Sequence, residues 1–223
     1  MLKDIEGIIF DLDGTLIDSM WIWPSVDEEY LGARNLRMPE GFQDQMEGMS
    51  YRDVAKLFRT TFPSIESSTE EIMEEWIRMA YHKYVNEVPL KSGVKKFLQE
   101  MRRREIPMGI ATSNTLDLVL DTLKSLEIDF YFSSIHSANE VKSGKPEPDI
   151  YLLVSQELGI SPKKCLVFED VPMGILAGKN AGMKVCGVED SFSANQVQKK
   201  KALADFYINH YDEIEMGTFE VCK

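Results

Sequence analysis

The sequence has little cysteine, little positive charge and no long apolar run. Its three cysteines are widely spaced and form no Cys-x-x-Cys pair, so neither a disulfide framework nor a zinc site is predicted. Free thiols suit a reducing compartment, and we expect a cytoplasmic protein. No stretch approaches the roughly 20 apolar residues of a membrane-spanning helix. The charged start of the chain, with Lys3, Asp4 and Glu6, is untypical of a signal peptide.

Basic residues are clearly outnumbered by acidic ones. Lys and Arg total 25 against 37 Asp and Glu, which gives a formal net charge of −12. Such a surface repels nucleic-acid backbones and anionic membranes, and we expect neither as a partner. An anionic small-molecule substrate would therefore need local positive charge at its binding site. We expect a monomer, with a weak homodimer as the alternative.

Apolar runs and helical periodicity alternate along most of the chain. This alternation predicts a parallel sheet covered on both faces, that is, a doubly wound, Rossmann-like α/β core. Between residues 19 and 84 the pattern is helical without an intervening strand, which indicates an all-helical insert. We predict a core domain of residues 1–16 and 88–223 and a helical cap domain of residues 17–87.

Polar side chains stand where the predicted strands stop. In sheets of this class, ligands bind at the carboxyl ends of the strands, so these side chains are expected to meet at one edge. The residues at the three strand ends are Asp11 and Asp13, then Thr112, Ser113 and Asn114, and finally Glu169 and Asp170.

Four carboxylates in one place require a cation, and oxygen ligands of this kind suit Mg²⁺. Mg²⁺ held by carboxylates is common in phosphate chemistry. Lys145, in the loop sequence "SGKPEPD", would add positive charge for a phosphate ester. The predicted phosphate-binding set is Lys145, the Thr112 hydroxyl, Asn114, and the backbone amides of Leu12 and Ser113.

Asp11 and Asp13 have separate tasks in such a centre. A carboxylate can attack phosphorus and form an aspartyl-phosphate, and we assign this step to Asp11. Asp13, two residues further on, lies on the same side of an extended stretch. It can protonate the leaving oxygen and later take a proton from water.

Four segments in order, "FDLDGTLIDS", "IATSN", "GKPEPD" and "VFEDVPMGILAGKNAG", resemble the four motifs of the haloacid dehalogenase-like hydrolase superfamily. With a helical insert directly after the first motif, the chain is similar to the branch with a small helical cap. That branch includes beta-phosphoglucomutases and many sugar-phosphate phosphatases. The resemblance covers nearly the whole chain.

The resemblance implies roles residue by residue. Asp11 matches the nucleophile and Asp13 the acid/base. Thr112 matches the hydroxyl residue of the second motif, and Lys145 the phosphate-facing lysine. The implied Mg²⁺ ligands are Asp11, the backbone carbonyl of Asp13, Asp170 and, nearby or through water, Glu169.

The predicted cap departs from the mutase pattern. Beta-phosphoglucomutases carry a histidine on the first cap helix and an arginine in the cap loop, and these positions fall on Trp23 and Tyr51 here. Loss of a cationic clamp disfavours a mutase, although Arg52 lies next to Tyr51 and can compensate. An acid at Asp13 favours phosphoryl transfer over carbon–halogen cleavage. The candidate substrate residues are Trp23, Gly48, Tyr51 and Arg52.

We predict a Mg²⁺-dependent phosphatase of a small phosphorylated metabolite, a sugar or polyol phosphate, with a phosphosugar mutase as the alternative. A phosphorylatable signalling module would lack both the helical insert and the acid at Asp13. A non-catalytic binding protein is disfavoured by the intact acids and Lys145.

Outside the motifs, the lysine run at 199–201 is typical of a solvated helix face. The histidines that fit no motif are His82, His136 and His210.

Overall fold

One seven-stranded sheet organises the part of the chain that the computed structural model describes, residues 1–46 and 51–222. The strand order is β3-β2-β1-β4-β5-β6-β7, and only the β6–β7 pair is antiparallel. The predicted doubly wound parallel core is confirmed, with a short antiparallel edge strand added. The strands are β1 (Gly7–Phe10), β2 (Met108–Thr112), β3 (Ser134–Ser137), β4 (Cys165–Glu169), β5 (Lys184–Val188), β6 (Phe206–Ile208) and β7 (Glu220–Val221).

The central strands are buried along their whole length. Every residue of β1 and of β4 is buried, as expected for parallel strands covered on both faces. Successive side chains point to opposite faces. Ile9 and Val167 join one apolar cluster. Phe10 stacks on Phe168 with ring centroids 5.2 Å apart and meets Phe97 edge-on at 6.2 Å. The strand ends are thereby fixed between two apolar layers.

Helices cover the sheet and build the insert. In the described residues no helix is long and apolar enough to cross a membrane. Short 3-10 turns span Asp129–Tyr131, Ala138–Glu140, Pro162–Lys164 and Ala194–Gln196. The α-helices are α1 (Ile22–Gly32), α2 (Phe42–Met46), α3 (Tyr51–Thr61), α4 (Thr69–Asn86), α5 (Val94–Arg103), α6 (Leu116–Ser125), α7 (Asp149–Glu157), α8 (Pro172–Asn180), α9 (Val197–Leu203) and α10 (Asp212–Met216).

The chain divides into two compact units. One unit combines Met1–Met20 with Val88–Lys223 and holds the sheet, and the other is Trp21–Glu87. The first unit extends past residue 16 because the two connecting segments pair with each other. Ile17 bridges Leu90, and the amide of Asp18 donates to the carbonyl of Pro89 at 3.0 Å.

The described part of the second unit is helical, as the sequence predicted. Its longest helix, α4, begins at a capping box, in which Ser68 Oγ accepts from the Glu71 amide and the Glu71 carboxylate accepts from the Ser68 amide. Its core is aromatic. Trp76 meets Phe58 at a centroid distance of 4.7 Å and Tyr30 at 5.6 Å. Trp76 is therefore a packing residue.

The prediction of a solvated face for residues 199–201 is wrong at its middle position. Lys200 on α9 is fully buried, whereas Lys199 is exposed. The reason is that Lys200 faces the end of β5, where its Nζ donates to the carbonyl of Val188 at 3.2 Å.

Candidate active site

The carboxyl ends of β1, β2 and β4 meet at one edge of the sheet because these strands are parallel neighbours. Asp11 follows β1 directly, Thr112 closes β2, and Glu169 closes β4. Asp170 comes next. Asp11, Glu169 and Asp170 are all buried, with exposed fractions of 7%, 0% and 2%. The fold thus removes three carboxylates from water, which is costly unless they are paired or bind a cation.

Lys145 brings positive charge from the loop before α7. Its Nζ donates to Asp11 Oδ1 and to Glu169 Oε1, both at 2.6 Å. The hydroxyl of Tyr151 donates to the same Glu169 oxygen at 2.9 Å. The amide of Val171 donates to the other Glu169 oxygen at 3.2 Å. The Glu169 carboxylate is therefore held at both oxygens.

Asp170 presents one carboxylate oxygen that is paired and one that is not. Oδ1 accepts from Thr15 Oγ1 at 3.1 Å. Oδ2 is buried and has no hydrogen-bond partner within residues 1–46 and 51–222. Gly14, with φ +75°, allows this arrangement, because a Cβ there would lie 2.4 Å from Oδ2. A buried carboxylate oxygen without a donor calls for a cation.

The crowding of these acids shows in their pKa values. Burial raises the pKa of Asp11 to about 8, against the opposing effect of Lys145. The charges of Glu169 and Asp13 add to the increase. Burial, followed by the charges of Glu169 and Asp11, raises the pKa of Asp170 well above its usual range. A bound divalent cation would reverse this and favour the ionised forms.

The donor set fits Mg²⁺. Asp11, Glu169 and Asp170 each offer one carboxylate oxygen, and the three oxygens lie within 4.8 Å of one another. Mg²⁺ prefers such hard oxygen ligands and keeps part of its water shell. Asp170 Oδ2, which has no hydrogen-bond partner among the described residues, is one ligand position that is available for the ion.

Asp13 lies beside this group in a different environment. It is half-buried, and its Oδ1 accepts from Ser19 Oγ at 2.6 Å. Its Oδ2 accepts from Asn114 Nδ2 at 3.4 Å. The Asn114 carbonyl accepts from Ser137 Oγ at 2.6 Å, which ties this contact to the end of β3. Asp13 is thus oriented by polar side chains and remains accessible to water.

The predicted phosphate-binding residues surround the same strand ends. Thr112 is fully buried, and its Oγ1 accepts from the Asn114 amide at 3.0 Å. Ser113 is exposed. The Leu12 side chain is fully buried, and its carbonyl accepts from the Leu16 amide at 2.9 Å. Phosphate binding by these residues stays a prediction.

Comparison with models of protein families shows which family the chain belongs to. A family model described as haloacid dehalogenase-like hydrolase matches residues 8–188, a span that holds Asp11, Lys145 and Asp170. The chain belongs to this family. The resemblance predicted from the four motifs is therefore confirmed.

Two relatives of this haloacid dehalogenase-like hydrolase are named as phosphatases. The phosphorylated carbohydrates phosphatase of Thermotoga maritima is 32% identical over 203 residues, which cover 85% of this chain and 88% of that protein. The probable pseudouridine-5'-phosphatase of Drosophila melanogaster is 30% identical over 217 residues, covering 92% and 93%. The predicted enzyme class, a haloacid dehalogenase-like phosphoric monoester hydrolase, is confirmed.

A solved structure agrees with the architecture. A Thermotoga maritima crystal structure named "putative beta-phosphoglucomutase" matches with a TM-score of 0.82 and 26% identity. The match covers 94% of this chain and 96% of that one. The predicted combination of an α/β core with a helical insert is therefore the architecture of a known haloacid dehalogenase-like fold.

Three of the four predicted substrate residues of this hydrolase lie on helices of the second unit. Trp23 lies on α1 and is 37% exposed. Arg52 lies on α3 and forms an exposed ion pair with Glu70. Tyr51 begins α3 and is described by its backbone alone, and Gly48 lies outside the described residues. Substrate contact by these four residues stays a prediction.

Three contacts of the centre were missed by sequence reasoning: the hydroxyls of Thr15, Ser19 and Tyr151. Thr15 and Ser19 stand inside the first motif, after the two carboxylates that carry its chemistry, and hydroxyl residues are also common in turns. Tyr151 occupies an apolar face of α7 and resembles a packing residue. A buried tyrosine hydroxyl needs a polar partner, however, and this requirement is the signal that could have found it.

Proposed function

We propose that the chain is a Mg²⁺-dependent phosphatase that hydrolyses a small phosphorylated metabolite, a sugar or polyol phosphate, through an aspartyl-phosphate on Asp11. The proposal is carried by one observation, the buried group of Asp11, Glu169 and Asp170 beside Lys145. The relative named for phosphorylated carbohydrates supports the substrate class.

Asp11, Asp170 and the backbone carbonyl of Asp13 would hold the Mg²⁺ ion, with Glu169 nearby or acting through water. When bound, the ion would offset the negative charge of the phosphate oxygens and of the carboxylates around it. Two observations support this assignment: Asp170 Oδ2 lacks a hydrogen-bond partner in the described part of the chain, and the pKa of Asp170 is raised.

Asp11 acts as the nucleophile. One of its carboxylate oxygens attacks phosphorus, and a new O–P bond forms while the ester P–O bond breaks. The Lys145 ammonium, 2.6 Å from Asp11 Oδ1, favours the ionised carboxylate that the attack requires. The phosphate oxygens would be held by Lys145, the Thr112 hydroxyl, Asn114, and the backbone amides of Leu12 and Ser113.

Asp13 moves the protons. In the first half-reaction its carboxyl group gives a proton to the leaving oxygen, and the alcohol departs neutral. In the second half-reaction its carboxylate takes a proton from water, whose oxygen attacks phosphorus and breaks the bond to Asp11. Inorganic phosphate leaves, and both acids return to their initial states. Ser19 and Asn114 would keep Asp13 oriented during these transfers.

The helical unit would supply the specificity. We assign residues 1–16 and 88–223 to a catalytic core domain and residues 17–87 to a cap domain whose side chains contact the non-phosphate part of the substrate. The residues assigned to that contact are Trp23, Gly48, Tyr51 and Arg52.

A cytoplasmic location and a monomeric state complete the proposal. Cys165 and Cys186 are buried free thiols and Cys222 is a half-buried one, which supports a reducing compartment. The acidic surface, with a net charge of −12, argues against nucleic-acid or anionic-membrane partners.

A phosphosugar mutase is the second candidate, because a structure with 26% identity carries a mutase name. The two activities differ in their products. A mutase moves a phosphoryl group between two hydroxyls of a sugar and releases no net phosphate. A phosphatase releases one phosphate for every ester consumed.

The test is a phosphate-release screen over sugar and polyol phosphates, with MgCl₂ or with EDTA. We expect release by the wild type with MgCl₂ only, and at least about a 100-fold loss in Asp170→Asn. Asp117→Asn, which changes an exposed carboxylate on α6, is the control and should match the wild type. Release that persists in EDTA, or isomerisation of the sugar phosphate without release, would contradict the proposal.

A further inference from the structure

Lys200 is a buried cation that the proposed chemistry does not use. It lies on α9 with no exposed surface. Its Nζ donates to the carbonyl of Val188 at 3.2 Å, to Ser193 Oγ at 3.1 Å and to Glu189 Oε2 at 3.4 Å. An ammonium group has three donors, and three acceptors surround this one. Burying it costs free energy, which these acceptors offset in part.

Ser193 connects Lys200 to Asp170 of the candidate active site through two hydrogen bonds. Its side chain is buried, and its Oγ donates to the backbone carbonyl of Asp170 at 2.9 Å. The hydroxyl therefore accepts from Lys200 and donates to Asp170. Because the first donor is charged, the second hydrogen bond is polarised and strengthened.

A second lysine holds the same loop from another segment. Lys91 Nζ donates to Asp190 Oδ2 at 2.7 Å and to the carbonyl of Glu189 at 2.8 Å. Asp190 Oδ1 in turn accepts from the Phe192 amide at 2.9 Å. The first half of the loop between β5 and α9 is thus held by two lysines from different segments, which restricts the position of Ser193.

Asp170 is consequently anchored at two points. Thr15 holds its Oδ1 at 3.1 Å, and Ser193 holds its main-chain carbonyl at 2.9 Å. The remaining oxygen, Oδ2, is the buried one without a partner in the described residues. Anchoring the carbonyl and Oδ1 sets the direction in which Oδ2 points.

We propose that Lys200 is a positioning residue of the metal centre, which acts through Ser193 to fix the backbone of Asp170 and hence the Asp170 carboxylate. Lys200 contacts neither substrate nor metal in this role. The inference rests on the proposed magnesium site and adds a residue that no motif contains.

The test compares Lys200→Met and Ser193→Ala with the wild type. Methionine keeps much of the length of the Lys200 side chain and removes its charge. Ser193→Ala removes only the hydroxyl that joins Lys200 to the Asp170 carbonyl. The exposed neighbours supply the matched controls, Lys199→Met and Ser191→Ala. Mg²⁺ binding is measured by isothermal titration calorimetry on each purified chain, and folding by circular dichroism and thermal melting.

We expect both variants to bind Mg²⁺ about tenfold more weakly, with the controls unchanged, as is typical of residues that orient a metal ligand. The double variant should bind no more weakly than Lys200→Met alone, because the two residues act in one chain. A loss of thermal stability by itself would not produce this pattern.

Folded variants that bind Mg²⁺ like the wild type would overturn the inference and leave the proposed function intact. If Lys200→Met does not fold, Ser193→Ala decides, and normal Mg²⁺ binding by Ser193→Ala overturns the inference. A wild type that binds no Mg²⁺ would instead overturn the proposed magnesium site, and the positioning role with it.

Discussion

Gly174 lies in the first turn of α8, where the absence of a side chain leaves room for Glu169. A Cβ at this position would lie 1.6 Å from Glu169 Oε1 and 2.0 Å from its Cδ. The same Glu169 oxygen accepts from Lys145 and from Tyr151. The absence of a Cβ at Gly174 therefore leaves room for the Glu169 carboxylate and for its hydrogen bonds with Lys145 and Tyr151.

The variant Gly174→Ala should displace Glu169 and, with it, Lys145. We expect phosphate release to fall about 100-fold, since misplacement of catalytic groups by about 1 Å costs that much. We also expect a stability loss of about 1–3 kcal/mol from overpacking. Steady-state kinetics measures the loss of phosphate release, and thermal melting measures the loss of stability. Gly32→Ala, where a Cβ would meet nothing within 4 Å, is the control. A Gly174→Ala enzyme with normal kinetics would show that Glu169 needs no fixed position.

Among the secondary-structure elements, β3 and α7 are joined by a histidine. His136 on β3 contacts Glu157 on α7 at 2.8 Å and Glu140 in the following 3-10 turn at 3.0 Å. Burial opposes the charge of the imidazole, but the carboxylates of Glu157 and Glu140 outweigh this effect and raise the pKa of His136. When it is protonated, His136 can form ion pairs with both carboxylates and so join β3 to α7.

This raised pKa predicts a pH-dependent stability. A histidine whose pKa is higher in the folded state than its usual value of about 6.5 stabilises the folded protein. This stabilisation is fully present at pH values below about 6.5. The stabilisation is lost as the pH rises through the folded-state pKa. Urea unfolding should therefore show a larger deficit for His136→Gln at about pH 5.5 than at about pH 8.5. The exposed His82→Gln is the control. A deficit that does not change with pH would contradict the raised pKa of His136.

Local sequence predicted those parts of the site that depend on where a strand ends. Asp11 and Glu169 could be placed because an apolar run stops at each of them. Tyr151 and Lys200 could not, because their roles depend on which way a helix faces after packing. A run of three lysines is usually solvated, and only the position of α9 against the end of β5 shows that the middle one is buried.

For the whole molecule, the parallel order of the sheet is what unites distant segments. Thr15 and Asp170 are 155 residues apart in sequence and share a hydrogen bond, because β1 and β4 are neighbours. The alternation of strands and helices predicted this class of sheet. It did not predict the two-residue strand β7, since a strand this short leaves no periodic signal.

The central claim is that Asp11 carries the phosphoryl group during turnover. The most direct measurement is mass spectrometry of acid-quenched Asp13→Asn after reaction with p-nitrophenyl phosphate and MgCl₂. This aryl leaving group departs without help from an acid, so loss of Asp13 should slow mainly the second half-reaction, by about 10²–10⁴-fold. The account predicts a phosphoryl group on the peptide that contains Asp11. It further predicts neither a phosphorylated peptide nor phosphate release in Asp11→Asn. Phosphate release by Asp11→Asn at the wild-type rate would contradict it.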